Sequence, residues 1–315
     1  MLKVGLVGSG GISRAHIPAW LNMAETELVA LCDIRPEQME EFPQCRHYTD
    51  FGEMLRCEKL DILDICLPTY LHVDYAVKAM EQGIHVICEK PIAFREEDVH
   101  RAYEAAHRNG VCFMIAQVLR FWPEYELLKD IYDSGRYGKL LSGNMHRLGQ
   151  KPKWSWDNWM LDEKRSGLVP YDLHVHDVDF MVYAFGAPES VHRRRARNDQ
   201  QDYLCGVYSY PDFFITAEAS WYAAPLPFGA GFRFQFEEAL VVWDKGVFTI
   251  YENNGTILNL SGSQGELDTG DINLPKSDAY ANELIYFADC VENNKPVEKV
   301  KPEELTCVLK ILNNL

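Results

Sequence analysis

No run of 18 apolar residues interrupts the 315-residue chain, so no segment reads as a membrane-spanning helix. Positive charge is scarce: 31 Lys and Arg stand against 47 Asp and Glu, a net charge of -16. Nucleic acid requires a basic face, and this balance excludes it as a partner. No C-x-x-C pair occurs among the nine cysteines. Cys32, Cys66, Cys88 and Cys112 sit in apolar strand-like runs, where cysteine serves as a small hydrophobe, and reduced thiols are the expected state. No internal repeat and no Gly/Ser-rich linker appear. Met1-Leu2-Lys3-Val4 enters a strand pattern directly, without secretory-signal architecture. The expectation is a cytoplasmic protein of about two ordinary globular domains.

The first half alternates short apolar runs with amphipathic helical patterns. Strands are expected at residues 2–7, 27–32, 61–67, 85–88 and 111–116, with helices at 72–82 and 96–109. This alternation indicates a doubly wound parallel sheet with both faces covered. The first strand runs into Gly8-Ser9-Gly10-Gly11-Ile12-Ser13 and then a helix. That order suits a dinucleotide site: Gly8 permits the tight turn, Gly10 lets backbone approach a pyrophosphate, and the helix N-terminus offers free N–H groups. The third glycine of G-x-G-x-x-G is missing, and the small Ser13 stands in its place. Asp33 closes the second strand 20 residues beyond Ser13. An acid there accepts from the adenosine ribose and repels a 2′-phosphate, which favours NAD; Arg35 nearby would accommodate NADP.

Val86-Ile87-Cys88-Glu89-Lys90-Pro91 is an apolar strand stopped abruptly by an acid, a base and a proline. Proline cannot donate to a ladder, so the strand ends there. Lys90 is thereby held at a strand's C-terminal end, where open α/β sheets bind ligands. Leu67-Pro68-Thr69 closes the preceding strand in the same way, so both loops border one crevice.

In the second half a helix at 123–134 ends at Gly135 as C-cap, followed by a strand at 139–147. Trp154, Trp156 and Trp159 then crowd an irregular stretch, as a stacking platform for a sugar ring or as core packing. Residues 170–185 read as one helix, with Pro170 in its first turn. On it Asp172, His176 and Asp179 fall at i, i+4 and i+7, on one face. Asp172 can then orient His176, while His174 and Asp177 point elsewhere. His174-x-His176 is a poor metal pair, because i and i+2 diverge on a helix, and no metal is expected. Beyond Gly186 alternating strands at 213–219 and 232–237 suit a large, mostly antiparallel open sheet with one face on helices. The basic run His192–Arg197 reads as a solvated strand or a subunit contact. Residues 279–292 and 302–312 read as amphipathic helices. Apolar side chains on both alternations of the sheet imply a homodimer or homotetramer. The expected division is 1–120, a Rossmann domain, and 121–315, an α+β domain for substrate and association.

Gly8-Ser9-Gly10-Gly11, Leu67-Pro68-Thr69 with His72, and His85–Pro91 resemble the glucose–fructose oxidoreductase / inositol dehydrogenase / MocA family. The likeness extends to Arg120-Phe121-Trp122-Pro123 and covers essentially the whole chain. The D-x-x-x-H-D-x-D run from Asp172 is similar to that family's catalytic helix, although Gly167 stands alone where a glycine pair is common. The resemblance implies an NAD(P)-dependent dehydrogenase acting on a secondary hydroxyl of a sugar, inositol or related polyol. It makes Lys90, Asp172 and His176 the catalytic set. The cofactor set becomes Gly8, Ser9, Gly10, Gly11, Ile12, Asp33, Arg35, Leu67, Pro68, Thr69, His72, Glu89, Lys90 and Gln117. Arg120, Trp154, Trp159 and Tyr171 are the expected substrate contacts. The alternatives are a redox-neutral sugar hydrolase or lyase that retains NAD, and a non-catalytic cofactor-sensing regulator.

Overall fold

Residues 1–261 and 277–314 are described by the structure, a computed structural model. Its helices are α1 Ser13–Asn22, α2 Phe51–Cys57, α3 His72–Met80, α4 Glu96–Asn109, α5 Pro123–Ser134, α6 Glu163–Ser166, α7 Val175–Phe185, α8 Ala279–Glu292 and α9 Pro302–Asn313. Strands β1 Leu2–Val7, β2 Thr26–Cys32, β3 Arg46–Tyr48, β4 Ile62–Ile65, β5 His85–Glu89 and β6 Phe113–Ala116 form one sheet. A second sheet contains β7 Leu140–Gln150, β8 Ser190–Arg197, β9 Asp202–Ser209, β10 Phe214–Tyr222, β11 Gly229–Phe236, β12 Ala239–Asp244, β13 Val247–Glu252 and β14 Ile257–Ser261.

The chain folds as two compact units. Met1–Val118 and Asp278–Thr306 make the first, and the remaining described residues make the second. The expected division gave everything after residue 120 to the second domain, whereas Asp278–Thr306 clusters with the first unit. The physical reason is α8, whose apolar side packs on α1 within the first unit.

In the first unit all strands are parallel, in the order β3-β2-β1-β4-β5-β6. Both faces are covered, so β4 is buried at every position, the charged Asp64 included. Strand order reverses between β1 and β4, and the crevice this opens at their C-terminal ends is the usual ligand position of such sheets. Helix α4 follows its sequence closely. Glu96, Glu97 and Asp98 face the positive end of its dipole, His107 and Arg108 the negative end, and Gly110 takes the left-handed cap at φ +64°. Two elements escaped the sequence reading, β3 and α2. A three-residue strand of Arg, His and Tyr carries no apolar period, and α2 is only seven residues long.

The second unit holds an eight-stranded sheet ordered β14-β13-β12-β11-β7-β10-β9-β8. Its pairs are antiparallel except β7 with β10. One face packs on α5 and α7. There Tyr125 meets Phe180, Phe232 and Trp243 edge-on, with ring centroids 4.8, 5.0 and 5.5 Å apart. Burying each such ring contributes roughly 1.5–3 kcal/mol before entropy is counted. The opposite face is mixed. Asn144 donates to Thr216 at 2.9 Å and Tyr203 to Glu218 at 2.8 Å, while Val207, Phe214, Tyr251 and Ile257 are exposed. The basic run forms the edge strand β8.

Candidate active site

The glycine turn after β1 is fixed by steric necessity. Gly8 has φ +94°, and a Cβ there would lie 2.5 Å from the Cys66 carbonyl oxygen. Only glycine fits this approach between the β1 and β4 ends. A Cβ on Gly10 would meet nothing within 4 Å, so its backbone borders open space at the start of α1, as a phosphate cradle requires. Ser13, in the third glycine position, is fully buried and donates back to the Gly10 carbonyl at 2.6 Å. At the end of β2, Asp33 accepts the Ser9 N–H at 2.8 Å on one oxygen and the Arg35 N–H at 2.8 Å on the other. The Arg35 guanidinium stands 3.4 Å from the same carboxylate. These residues fit the pyrophosphate and ribose of a dinucleotide.

The loops after β4 and β5 are clasped together by His72. Its Nε2 lies 2.7 Å from the Leu67 carbonyl oxygen and its Nδ1 2.8 Å from that of Pro91. The ring is 1% exposed, so His72 braces the crevice loops and is not the direct cofactor contact that was expected. Burial, above all, holds its pKa below the ordinary value, against the pull of the two carbonyls. Leu67 and Pro68 are half-buried, and Thr69 and Gln117 are buried. Glu89 is 7% exposed and accepts the Lys90 backbone N–H at 3.1 Å, and Lys90 follows, half-exposed, at the sheet's end.

Behind Glu89 lies an array that the sequence reading missed. His16 of α1 is fully buried, with Nδ1 2.8 Å from Asp64 Oδ2 and Nε2 3.1 Å from Glu89 Oε1. Trp20 also donates to Asp64, at 2.8 Å, and the Cys66 thiol stands 3.6 Å from both Asp64 and His16. Burial opposes charge on His16, yet Asp64 and Cys66 raise its pKa well above the ordinary value. His16, Asp64 and Cys66 have donor atoms within 4.8 Å of one another. These atoms are already hydrogen-bonded among themselves and to Trp20, so the set is a polar array of the core. The signal was present in the sequence: an aspartate in the middle of Ile62–Ile65 requires a buried partner.

In the second unit, Pro170–His174 is a single π-helical turn running into α7. Such turns place one extra residue per turn and often mark functional positions. The single-face argument assumed regular α-helical spacing, and it holds only in part. Asp172 and His176 are half-buried, but Asp179 turns inward and is 1% exposed. Its carboxylate accepts Arg120 Nε at 2.9 Å and the terminal guanidinium nitrogen at 2.6 Å. Arg120 is itself 0% exposed, so this guanidinium holds the helix in place and is not free to contact substrate. Asp177 receives Arg147 at 3.0 Å, and His174 meets the Tyr208 hydroxyl. Burial raises the Asp177 pKa to about 6 in spite of Arg147. Burial, with Arg193 and Arg147, lowers that of His174 to about 3.

The expected substrate contacts divide. Trp154 is 38% exposed, but Trp159 packs on the cluster of Met160, Leu168, Val169, Leu204, Ala219 and Trp221. For Trp159 the core reading prevails. The Tyr171 hydroxyl donates to Asn313, and its ring fills the space that a Cβ on Gly167 would occupy, at 2.4 Å. A cavity of about 580 Å³ on the open sheet face, lined by Asn144, His192, Arg194 and Glu218 among others, contains none of the expected site residues.

Comparison with known proteins agrees with the glycine turn and the strand order. The profile of the GFO_IDH_MocA oxidoreductase family, with an NAD-binding Rossmann fold, matches residues 2–117, and that of the GFO/IDH/MocA C-terminal domain matches residues 125–263. The chain belongs to the GFO/IDH/MocA family. It is 28% identical over 192 residues to glucose-6-phosphate 3-dehydrogenase of Bacillus subtilis (strain 168), covering 59% of this chain and 54% of that protein. It is 24% identical over 267 residues to D-glucoside 3-dehydrogenase of Escherichia coli (strain K12), covering 82% and 74%. A 2,7-anhydro-N-acetylneuraminate hydratase of Escherichia coli (strain K12) is 28% identical over 195 residues, covering 61% and 52%. The chain thus spans about half the length of most curated relatives it matches. A levoglucosan dehydrogenase solved with NADH and levoglucosan shares the fold, with a TM-score of 0.84 and 19% identity over 99% of this chain and 95% of that one. In this family member the cofactor of the Rossmann unit is NAD, in keeping with Asp33.

Proposed function

We propose that this GFO/IDH/MocA protein is an NAD-dependent dehydrogenase acting on a secondary hydroxyl or keto carbon of a sugar, inositol or related polyol. The observation that carries the reading is Lys90, presented at the end of β5 beside the buried Glu89, in the sheet that also bears the glycine turn and Asp33. Bound NAD supplies a hydride acceptor at its nicotinamide ring. The chain supplies positioning and the handling of one proton. Gly8, Gly10 and the start of α1 hold the pyrophosphate, and Asp33 the ribose. Lys90 holds the reacting oxygen, and His176, with Asp172 as its orienting acid, takes the hydroxyl proton as hydride leaves carbon, which lowers that barrier. Trp154, exposed near the start of its loop, offers a stacking surface for a sugar ring. The exposed Val207 and Phe214 on the open sheet face support pairing with a second copy, as a homodimer or homotetramer.

The test is a screen for NADH formation with glucose 6-phosphate, alkyl glucosides, levoglucosan and inositols. Turnover with at least one, and a preference for NAD over NADP, is the expected result. The hydratase relative favours one second reading: redox-neutral chemistry with retained NAD. Hydration of a 2,7-anhydro sugar acid, with no net NADH from any sugar in the screen, would replace the first reading by the second.

A further inference from the structure

Two buried carboxylates, Asp64 at 0% and Glu89 at 7% exposure, flank one imidazole, that of His16. A carboxylate oxygen only accepts hydrogen bonds. Each ring nitrogen of His16 faces such an oxygen, at 2.8 and 3.1 Å. Nδ1 is hydrogen-bonded to Asp64, whereas Nε2 lies 3.1 Å from Glu89 Oε1 out of line for a hydrogen bond, so that contact is one of charge: a bare ring nitrogen would set its lone pair against a carboxylate oxygen, and an imidazolium N–H would not. On the Asp64 side stand the Trp20 N–H and the Cys66 thiol, whose own pKa is raised first by burial and then by Asp64. On the remaining side the ring of Tyr280 from α8 has its centroid 6.2 Å away. The array ends at the residue before Lys90, and the second oxygen of Glu89 accepts the Lys90 backbone N–H. Both the Glu89 and the Lys90 charge act on the buried ring of His72, so the array and the β5 loop share one electrostatic environment.

We propose that His16 is a positioning residue for Lys90: an imidazolium held between Asp64 and Glu89 that anchors the Glu89 carboxylate and, through it, fixes the backbone that presents Lys90. The role rests on the proposed function only in giving Lys90 its task. His16 and Asp64 touch neither substrate nor cofactor in this scheme. Their work is to set the position and aim of the carboxylate one residue before the lysine. Its sequence signature is a histidine three residues into the helix after the glycine turn, together with an acid at the centre of β4.

The first experiment needs neither substrate nor cofactor. Side-chain nitrogen NMR of the full chain, labelled at histidine, should show one ring doubly protonated from about pH 6 to about pH 9, where an ordinary histidine titrates. His16→Asn, where it folds, assigns that signal; Asp64→Asn provides the assignment otherwise, by moving it. Asp64→Asn keeps the shape and an acceptor but removes one charge, so its His16 should titrate within that range. A neutral His16 ring in the wild type overturns the proposal.

The second experiment is kinetic, with the sugar from the screen that reduces NAD fastest. As pH rises through the new His16 midpoint, kcat of Asp64→Asn should fall on the order of tenfold, the effect of a small misplacement of a reacting group. KM for NAD should stay unchanged, and the wild type should lack this step. A profile for Asp64→Asn parallel to that of the wild type overturns the positioning role even if the NMR result stands. Unchanged turnover in Lys90→Met would instead overturn the proposed function, and the NMR measurement would still decide the charge of His16.

Discussion

The carboxylate of Asp33 accepts the backbone N–H of Ser9 at 2.8 Å, tying the end of β2 to the glycine turn after β1. One side chain therefore both repels a 2′-phosphate and braces the turn that receives the pyrophosphate. Asp33→Ser should narrow the preference for NAD over NADP on the order of tenfold, the effect of about 1.4 kcal/mol. It should also weaken both cofactors, because Ser9 loses its acceptor. Arg35, 3.4 Å from Asp33 in the wild type, loses that carboxylate and can turn towards the extra phosphate. Steady-state KM values for the two cofactors decide the matter, and a wild-type preference for NADP would show that Arg35 outweighs Asp33.

Replacing the proposed chemical groups separates binding from turnover. Lys90→Met and His176→Ala should each leave NADH affinity nearly intact, since the glycine turn and Asp33 are untouched. Each should lower kcat on the order of 10²-fold, the usual worth of positioned acid–base help. The double variant should cost less than the two single effects combined, because groups serving one proton transfer are not additive. Asp172→Asn should also lower kcat, through loss of the acid proposed to orient His176. Fluorescence titration of NADH and steady-state rates supply both measurements.

The pair Arg120–Asp179, 0% and 1% exposed at 2.6 Å, governs stability of the second unit. Asp179→Asn leaves a buried guanidinium without its charge partner and should cost about 3–5 kcal/mol. Arg120→Met combined with Asp179→Leu removes both charges and should recover much of that loss. Urea unfolding of the three proteins tests it. A loss below about 1 kcal/mol for Asp179→Asn would mean that the charge finds another partner.

Acid should destabilise the protein through His174. Its folded pKa lies near 3, below the ordinary value of 6.5, because burial and two arginines oppose its charge. Only the unfolded chain takes up that proton between these values, so the contribution is present above pH 6.5 and is lost as pH falls towards 3. Asp177 acts in the opposite sense. Its pKa is raised from 3.8 to about 6, so its contribution is present below 3.8 and is lost as pH rises through 6. The informative quantity is therefore the difference between the wild type and His174→Gln. Melting temperatures should show a smaller fall from neutral to mildly acidic pH in His174→Gln, and equal falls would remove His174 from the explanation.

Much of this architecture is legible in the sequence because burial imposes a period. Helices at 96–109 and 123–134 have the bounds that their apolar spacing and glycine caps announce, and the helix at 279–292 has those of its apolar spacing alone. Lys90 could be placed because Pro91 ends a strand whatever surrounds it. What stayed hidden depends on partners distant in the chain. Nothing near Arg120 reveals that its guanidinium is taken by Asp179, 59 residues away. Nothing near His16 points to Asp64, 48 residues on. The π-turn at Pro170–His174 was invisible for another reason: a one-residue change of pitch leaves no mark on a pattern of polar and apolar residues.

The packing of α8 on α1 bears on how the protein is made. A chain emerging from the ribosome presents β1 to β6 early, yet residues 279–292, which cover α1, follow the whole second sheet. Trp20 and Ile17 of α1, both fully buried in the finished fold, belong to a layer whose outer cover is missing until the whole second sheet has been synthesised. The unit that starts folding first thus cannot close until the second sheet has been made, and a fragment cut at residue 120 would be an unfinished domain.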